Sequence, residues 1–167
     1  MLIIFDLDDT LIDTTGSVTP VMLTLALKKM IKHGLKVPNF HVARFQLWVL
    51  DRKTSSSRET IKLFLAHMRA DPSLLEIGMQ EMYRELPSKL KVKLLKGAKK
   101  ILEDLSKNHL LAIVTGGIPH FQRAKWEKAG IDSSLFSKIA VAEKSEKKIY
   151  YQNIALELKQ SPAEIIV

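Results

Sequence analysis

The 167-residue sequence contains no cysteine. Without cysteine there can be no disulfide bond, no thiolate nucleophile and no cysteine-ligated zinc ion. Long apolar runs are absent too, since no stretch approaches the roughly eighteen consecutive apolar residues of a membrane-spanning helix. The N-terminus also lacks the basic segment and cleavage site of a secretory signal. These absences lead us to expect a cytoplasmic protein with no membrane partner.

Aromatic residues are scarce and form no pattern with the basic residues. The chain carries 26 Lys and Arg against 18 Asp and Glu, a net charge of +8, which favours an anionic partner. That charge does not by itself choose between a phosphorylated metabolite, a nucleic acid and a membrane surface. Because aromatic residues do not alternate with the lysines and no RNA-binding motif is present, we do not expect a nucleic-acid partner.

What the sequence does contain is an apolar stretch that runs directly into a group of acids. Leu2–Phe5 has no helical period and predicts a strand buried on both faces of a parallel sheet. In an extended backbone Asp6 and Asp8 project to the same side, and at about 6 Å two such charges repel by roughly 3 kcal/mol at an effective dielectric near 20. A cation would remove that cost, and carboxylate oxygens suit Mg²⁺, while aspartate can also act as a covalent nucleophile. The alternative is a pair of acids that are merely solvated or cap the following turn.

The rest of the chain predicts an α/β fold with a helical insertion. About eighty residues after the first strand have the spacing of short amphipathic helices, which can bury their apolar faces against one another. From about Leu94 helices and strands alternate, as in a doubly wound, Rossmann-like parallel sheet. One of the later helices should start at Pro119 and carry Phe121, Ala124 and Lys128. We predict an α/β core formed by residues 1–15 and 92–167, with an all-helical domain at 16–91.

The fourth helix of the insertion has the clearest predicted limits. Asp71 followed by Pro72 is a good N-cap and first-turn pair, and Pro87 would end the helix. The predicted inner face carries Leu75, Met79, Met82 and Leu86.

A second group of candidate site residues follows the strand 111–114. Thr115 and Gly116 lie between this strand and the helix predicted at Pro119. Glycine lets the backbone approach a ligand closely, and the free N–H groups of a helix N-terminus attract an anion. A threonine hydroxyl with such amides can hold phosphoryl oxygens. An ordinary strand-to-helix turn with a capping threonine is the alternative.

Three lysines near the C-terminal end could supply positive charge to the same site. Lys144, Lys147 and Lys148 precede or begin a predicted helix. If Ser145 is the N-cap, Lys147 and Lys148 lie in the first turn, where the helix dipole disfavours cations. A violated local preference of this kind indicates a functional site. The alternative is that all three are surface lysines.

The stretch Phe5–Asp13 resembles the first motif of the haloacid dehalogenase (HAD) superfamily, with its Asp-x-Asp-x-Thr-Leu pattern. The resemblance implies that Asp6 is the nucleophile and that Asp8 is a general acid and base whose backbone carbonyl also binds Mg²⁺. The resemblance also implies that Thr115 is the phosphate-binding residue of the family's second motif. Dehalogenating members usually lack the second acid, so Asp8 favours phosphoryl transfer.

The third motif of the family is a lysine placed before or at the start of a core helix. By this resemblance we favour Lys147, then Lys148, then Lys144, although the lysine-proline pair usual in the family is missing. The helical domain would be a cap inserted after the first motif.

The resemblance implies a Mg²⁺-dependent phosphatase that hydrolyses a small phosphorylated metabolite through an aspartyl-phosphate intermediate. Relatives continue from a strand like 164–167 into a further acidic motif, whereas this sequence stops at Val167. We therefore expect a truncated or degenerate chain whose core lacks its C-terminal strand and helix. Weaker magnesium binding and self-association through an exposed sheet edge would follow. A phosphomutase and a catalytically impaired protein that binds a phosphorylated ligand or a partner remain alternatives.

Overall fold

The computed structural model describes residues 1–142 and 146–167. Contacts divide the chain into two units, one formed by Met1–Ser17 with Lys91–Val167 and the other by Val18–Leu90. The strands are β1 (Leu2–Phe5), β2 (Leu110–Gly116), β3 (Lys138–Ala142) and β4 (Ile165–Ile166). The α-helices are α1 (Thr19–Lys32), α2 (Phe40–Asp51), α3 (Ser57–His67), α4 (Leu74–Met82), α5 (Ala98–Leu105), α6 (Pro119–Ala129) and α7 (Lys147–Glu157).

The first unit is built on a parallel sheet with the strand order β3-β2-β1-β4. Leu2 of β1 lies opposite Leu110 of β2 on one side and Ile165 of β4 on the other. Helices precede or follow the strands along the chain, as parallel pairing requires. This arrangement confirms the predicted α/β, Rossmann-like fold class.

Strands β1 and β2 are buried on both faces, which explains why they are apolar runs without alternation. On one face, every second residue of β1 and β2 packs against α7. This cluster contains Leu2, Ile4, Ala112, Val114, Ala142, Ile154 and Ala155. Leu111 and Ile113, which point to the opposite face, are also fully buried. β1 and β2 are therefore enclosed on both faces, and the side chains at their carboxyl ends are carried on rigid supports.

The second unit is all-helical and contains α1 to α4. The starts of α2 and α3 are fixed by side chains that accept backbone hydrogen bonds. The side chain of Asn39 accepts from the amides of His41 and Val42, and that of Ser56 accepts from the amide of Glu59. Such caps satisfy N–H groups that have no partner within the helix.

The predicted limits of the fourth helix were wrong, and its predicted inner face was right only in part. Helix α4 begins at Leu74, because the Asp71 carboxylate accepts a hydrogen bond from the Ser73 amide (2.8 Å) within a turn that precedes the helix. It ends at Met82, before Pro87 is reached. Met82 and Leu86 are buried, as predicted. Leu75 and Met79 are only half-buried, and the residues before them, Leu74 and Gly78, are buried instead. In the first two turns of the helix hydrophobicity alone selected the neighbouring residues, because it gave no weight to the glycine at the contact.

Gly78 lets α4 approach its neighbours closely. A Cβ atom at this position would lie 3.0 Å from Met30 Sδ and 3.3 Å from two Ile61 carbons. The contact therefore leaves no room for a branched side chain.

Gly78→Val should destabilise the protein by about 1–3 kcal/mol, because added carbons force the packed side chains to shift. Valine is a better helix former than glycine, so intrinsic propensity acts in the opposite direction. Urea denaturation followed by circular dichroism measures the effect. Ala66→Val on the exposed side of α3 is the matched control, and equal effects of the two valines would contradict the packing explanation.

Across residues 1–142 and 146–167, no helix combines the length and apolarity that a membrane crossing requires.

Candidate active site

The carboxyl ends of the parallel strands place several polar residues at one edge of the sheet. Asp6 directly follows β1, whereas Thr115 and Gly116 are the last residues of β2. Helix α7 begins at Lys147, after the end of β3. Ligands of open α/β sheets bind in the crevice at this edge. The residues predicted at separate points of the sequence therefore lie near one another.

Asp6 is the more accessible of the two predicted carboxylates. One of its oxygens, Oδ1, accepts a hydrogen bond from the Leu7 amide (2.8 Å), and Oδ2 accepts one from Lys147 Nζ (2.7 Å). The Asp6 side chain is 40% exposed and that of Lys147 is 29% exposed. A substrate can therefore reach the carboxylate while a lysine stays beside it.

Of the two candidate lysines that the structure describes, Lys147 lies against Asp6. It is the first residue of α7, where its charge opposes the helix dipole and the Asp6 carboxylate compensates. Lys148 is exposed. Lys144 and the predicted N-cap Ser145 lie outside the described residues. A Cβ atom on Gly116 would lie at an ordinary contact distance of 3.5 Å from Lys147 Cε, so the lysine stem passes directly beside the end of β2.

Asp8 is more enclosed than Asp6 and accepts hydrogen bonds on both oxygens. Lys125 Nζ and the Thr14 hydroxyl donate to Oδ1, and Gln122 Nε2 donates to Oδ2 (2.8 Å). Lys125 and Gln122, both on α6, are 4% and 2% exposed. Asp8 therefore forms part of a hydrogen-bonded group of buried polar side chains.

Two opposing effects set the proton affinity of Asp8. Burial raises the pKa of this carboxyl, whereas the Lys125 ammonium and the hydrogen bonds from Gln122, Lys125 and Thr14 lower it. The lowering effects together are larger, so the pKa lies below the ordinary value of 3.8. Burial also lowers the pKa of Lys125, which the carboxylate of Asp8 only partly offsets. Asp8 is thus ionised at neutral pH.

Thr115 is fully buried, and its hydroxyl belongs to the same hydrogen-bonded group. Gln122 Nε2 lies 2.6 Å from Thr115 Oγ1 and 2.6 Å from the carbonyl oxygen of Gly116. Gly117 has φ +138°, and a Cβ atom there would lie 3.4 Å from the Gln122 side chain. The side-chain amide of Gln122 therefore contacts both the end of β2 and the carboxylate of Asp8.

Gln122 and Lys125 were not predicted from the sequence. The pattern indicated a face of α6 with Phe121, Ala124 and Lys128, whereas the buried residues are Phe121, Gln122, Lys125 and Trp126. A signal was present, because Lys125 lies four residues after Phe121 and Gln122 four residues before Trp126. Two polar residues at helical spacing from two large aromatics indicate a polar contact inside the fold.

The other acids near β1 hold the loop that follows it. Asp9 has φ +53°, and its carboxylate accepts hydrogen bonds from the amide (2.9 Å) and hydroxyl (2.6 Å) of Thr15. Asp13 accepts one from the Gly16 amide (2.8 Å). These contacts give both acids a structural role.

The donors available to a metal ion are few. Among the described residues, no three His, Cys, Asp or Glu side chains are grouped as a metal cluster. The exposed Asp6 carboxylate and the Asp8 backbone carbonyl remain, and both are hard oxygen donors. Such a set fits Mg²⁺, which keeps several water ligands and needs only one or two carboxylates from the protein.

Asp8→Asn should lower the unfolding free energy at pH 7 by about 2 kcal/mol. This is less than the roughly 3–5 kcal/mol of a fully buried pair, because the Asp8 side chain is 30% exposed. A carboxyl with a lowered folded-state pKa stabilises the fold above its unfolded pKa, and this contribution is lost as the pH falls through the folded pKa. The difference between the wild type and the variant should therefore shrink below about pH 4. Urea denaturation at pH 7 and near pH 2 tests this, and a difference that does not change with pH would contradict it.

Comparisons with known proteins bear on the whole chain. The family model for the haloacid dehalogenase-like hydrolases matches residues 1–167. A search of the curated proteins found no match.

Solved structures with a similar fold include three hydrolases of low sequence identity. A haloacid dehalogenase-like family hydrolase from Xanthomonas campestris is 18% identical with a TM-score of 0.60, and the match covers 99% of this chain and 72% of that one. The HAD-hydrolase YfnB from Bacillus subtilis is 20% identical with a TM-score of 0.57, covering 98% and 75%. L-2-haloacid dehalogenase from Xanthobacter autotrophicus is 16% identical with a TM-score of 0.52, covering 98% and 67%. The fold is shared, and the match of the family model to all 167 residues shows that the chain belongs to the haloacid dehalogenase-like hydrolases.

Proposed function

We propose that this protein is a phosphatase that hydrolyses a small phosphate monoester through an aspartyl-phosphate on Asp6. The observation that carries the proposal is Asp8, a second carboxylate held by three donors beside the sheet edge where Asp6 lies. A leaving halide needs no proton, whereas a leaving alkoxide does. A positioned second acid therefore favours phosphate esters over carbon-halogen bonds, even though dehalogenases share the fold.

The reaction has two steps that the same two carboxylates can serve. An oxygen of Asp6 attacks phosphorus, the bond from phosphorus to the leaving oxygen breaks, and Asp8 donates a proton to that oxygen. Asp8 then takes a proton from water, which attacks the acyl phosphate and releases inorganic phosphate and the Asp6 carboxylate. The ionised state of Asp8 in the free protein suits the second step. For the first step, the negative charge of the incoming ester favours protonation of Asp8.

Positive charge and backbone groups at the sheet edge would hold the phosphoryl group. Lys147 already contacts Asp6, so an ester attacked by Asp6 would come within reach of its ammonium. We assign phosphate binding to Thr115 and Gly116 as well, because they end the adjacent strand. The buried hydroxyl of Thr115 would have to exchange its contact with Gln122 for one with the substrate.

Magnesium is the cofactor that we propose for this site. The Asp6 carboxylate and the Asp8 backbone carbonyl would hold it, with water in the remaining positions. When bound, Mg²⁺ would neutralise negative charge on the phosphoryl oxygens. The YfnB structure, which has a similar fold, is bound to magnesium.

Trapping the intermediate on Asp6 tests the proposal. The protein is mixed with p-nitrophenyl phosphate and Mg²⁺, quenched and reduced with borohydride, which converts an acyl phosphate to the alcohol. Peptide mass spectrometry should then find homoserine in place of Asp6, and free phosphate should accumulate without quenching. Halide release from a 2-haloacid with no phosphate release from any ester would overturn the proposal. Transfer of the phosphoryl group to a sugar instead of water would indicate a mutase.

A further inference from the structure

Lys125 is a buried cation whose described ion-pair partner is Asp8. Its ammonium lies 5.5 Å from the centre of the Phe121 ring, on the same helix, and the residue is almost inaccessible to solvent. Keeping an ammonium in such a place costs free energy, and an apolar side chain of similar volume would often serve packing as well. A lysine at this position therefore indicates that its charge acts on the carboxylate that it contacts, Asp8.

Gln122 lies about one turn before Lys125 on the same face of α6 and also donates a hydrogen bond to Asp8. Three acceptors lie within 2.8 Å of its Nε2, namely Asp8 Oδ2, Thr115 Oγ1 and the Gly116 carbonyl oxygen. Gln122 Oε1 is buried and accepts no hydrogen bond from the described residues. The surroundings of this amide therefore select its nitrogen as the group that faces Asp8.

Together these donors fix the orientation of the Asp8 carboxylate. A carboxylate offers about four lone-pair positions, two on each oxygen. Lys125 and Thr14 occupy Oδ1, and Gln122 takes one position on Oδ2. Rotation of the carboxylate would break contacts on both oxygens, and the position that stays open is on Oδ2.

We propose that Lys125 and Gln122 are positioning residues that orient Asp8 so that it exchanges its proton through Oδ2 with the leaving oxygen. The inference rests on the proposed phosphatase function and adds to it two residues of α6 that do not touch the substrate themselves. Their effect is specific to the proton-transfer step. For an ester whose leaving group needs little protonation, the rate of hydrolysis should therefore change little when either residue is replaced.

Two esters with different leaving groups separate positioning from general structural support. p-Nitrophenyl phosphate releases a weakly basic phenolate, and propyl phosphate releases a strongly basic alkoxide that needs the proton. General acid catalysis contributes about 10²–10⁴-fold. In Lys125→Met, kcat/KM for propyl phosphate should fall at least about tenfold more than that for p-nitrophenyl phosphate. Lys125→Arg, which keeps a charged donor, should recover part of this loss. Arg123→Met, at an exposed position of the same helix, is the control.

A double-mutant cycle identifies Asp8 as the group through which Lys125 acts. In an Asp8→Asn background the proton donor is already lost, so adding Lys125→Met should leave the ratio of the two esters unchanged within about twofold. If Lys125→Met does not fold, as judged by circular dichroism, Gln122→Leu carries the same test on Oδ2.

The outcomes distinguish this proposal from the proposed function. If the wild type hydrolyses both esters but the folded variants lose equal activity on both, or lose none, the positioning role is overturned and the phosphatase function stands. A further tenfold change of the ester ratio in the Asp8→Asn background would also overturn it. A wild-type protein that releases phosphate from neither ester overturns the function and the positioning role together.

Discussion

Asp6→Asn should reduce the turnover of phosphate esters by at least about 10⁴-fold, because a neutral amide cannot attack phosphorus. The side chain keeps its size, so the Leu7 amide still has an acceptor and the fold should be retained. Phosphate release under saturating substrate and magnesium measures the loss. Borohydride reduction of the quenched variant should yield no homoserine at position 6.

Asp132→Asn is the matched control for this substitution. Asp132 is an exposed carboxylate in the same unit, where it accepts hydrogen bonds from Ser134. It should turn over esters at the wild-type rate. Asp6→Asn should still bind inorganic phosphate in a calorimetric titration, because Lys147 remains in place and repulsion from the carboxylate is removed. Unchanged turnover in Asp6→Asn would rule out Asp6 as the nucleophile.

Lys147→Met should lower kcat by about 10²–10³-fold, the usual cost of removing a donor that stabilises charge in a transition state. Lys147 contacts the oxygen of Asp6 at 2.7 Å and is partly exposed, so it can follow negative charge as it moves from Asp6 to the phosphoryl group. Methionine keeps most of the stem that passes Gly116. Steady-state kinetics with p-nitrophenyl phosphate separates the change in kcat from the change in KM.

The neighbouring lysines provide the comparison for Lys147→Met. Lys148→Met changes an exposed lysine one residue further along α7 and should keep nearly full activity. Lys144→Met covers the third candidate lysine. A large loss in either of these variants, together with an active Lys147→Met, would assign the phosphate lysine to the other position.

The fold was predictable because its strands and helices have distinct apolar patterns. The apolar run 2–5 and the run ending at Val114 have no helical period, and a strand buried on both faces is the structure that such runs favour. The limits of α4 were not predictable in the same way. The start of the helix depends on a local turn at Asp71 that competes with the first helical turn. Its buried face depends on the close approach at Gly78, which is settled by tertiary packing rather than by local propensity.

The candidate site was predictable where residues follow strand ends, and not where they come from the middle of a helix. Asp6 and Asp8 were predicted because two like charges come together directly after a buried strand. The lysines were candidates because a cation at a helix start opposes the helix dipole, and Lys147 was preferred among them by the resemblance to the family. Lys125 and Gln122 contact Asp8 across more than a hundred residues of sequence. In a search for amphipathic helices such polar residues count against an apolar face. Their contacts with Asp8 are therefore recognised only in the three-dimensional structure.

The position of β1 between β2 and β4 has a consequence for motion during turnover. A strand paired on both edges opens only when the sheet around it opens, so it belongs to the most persistent part of the fold. Asp6 is joined directly to that strand, so its backbone should move little. With Asp6 as the nucleophile that we propose, the adjustments that admit an ester and release its products would fall to the side chains and helix ends that face it.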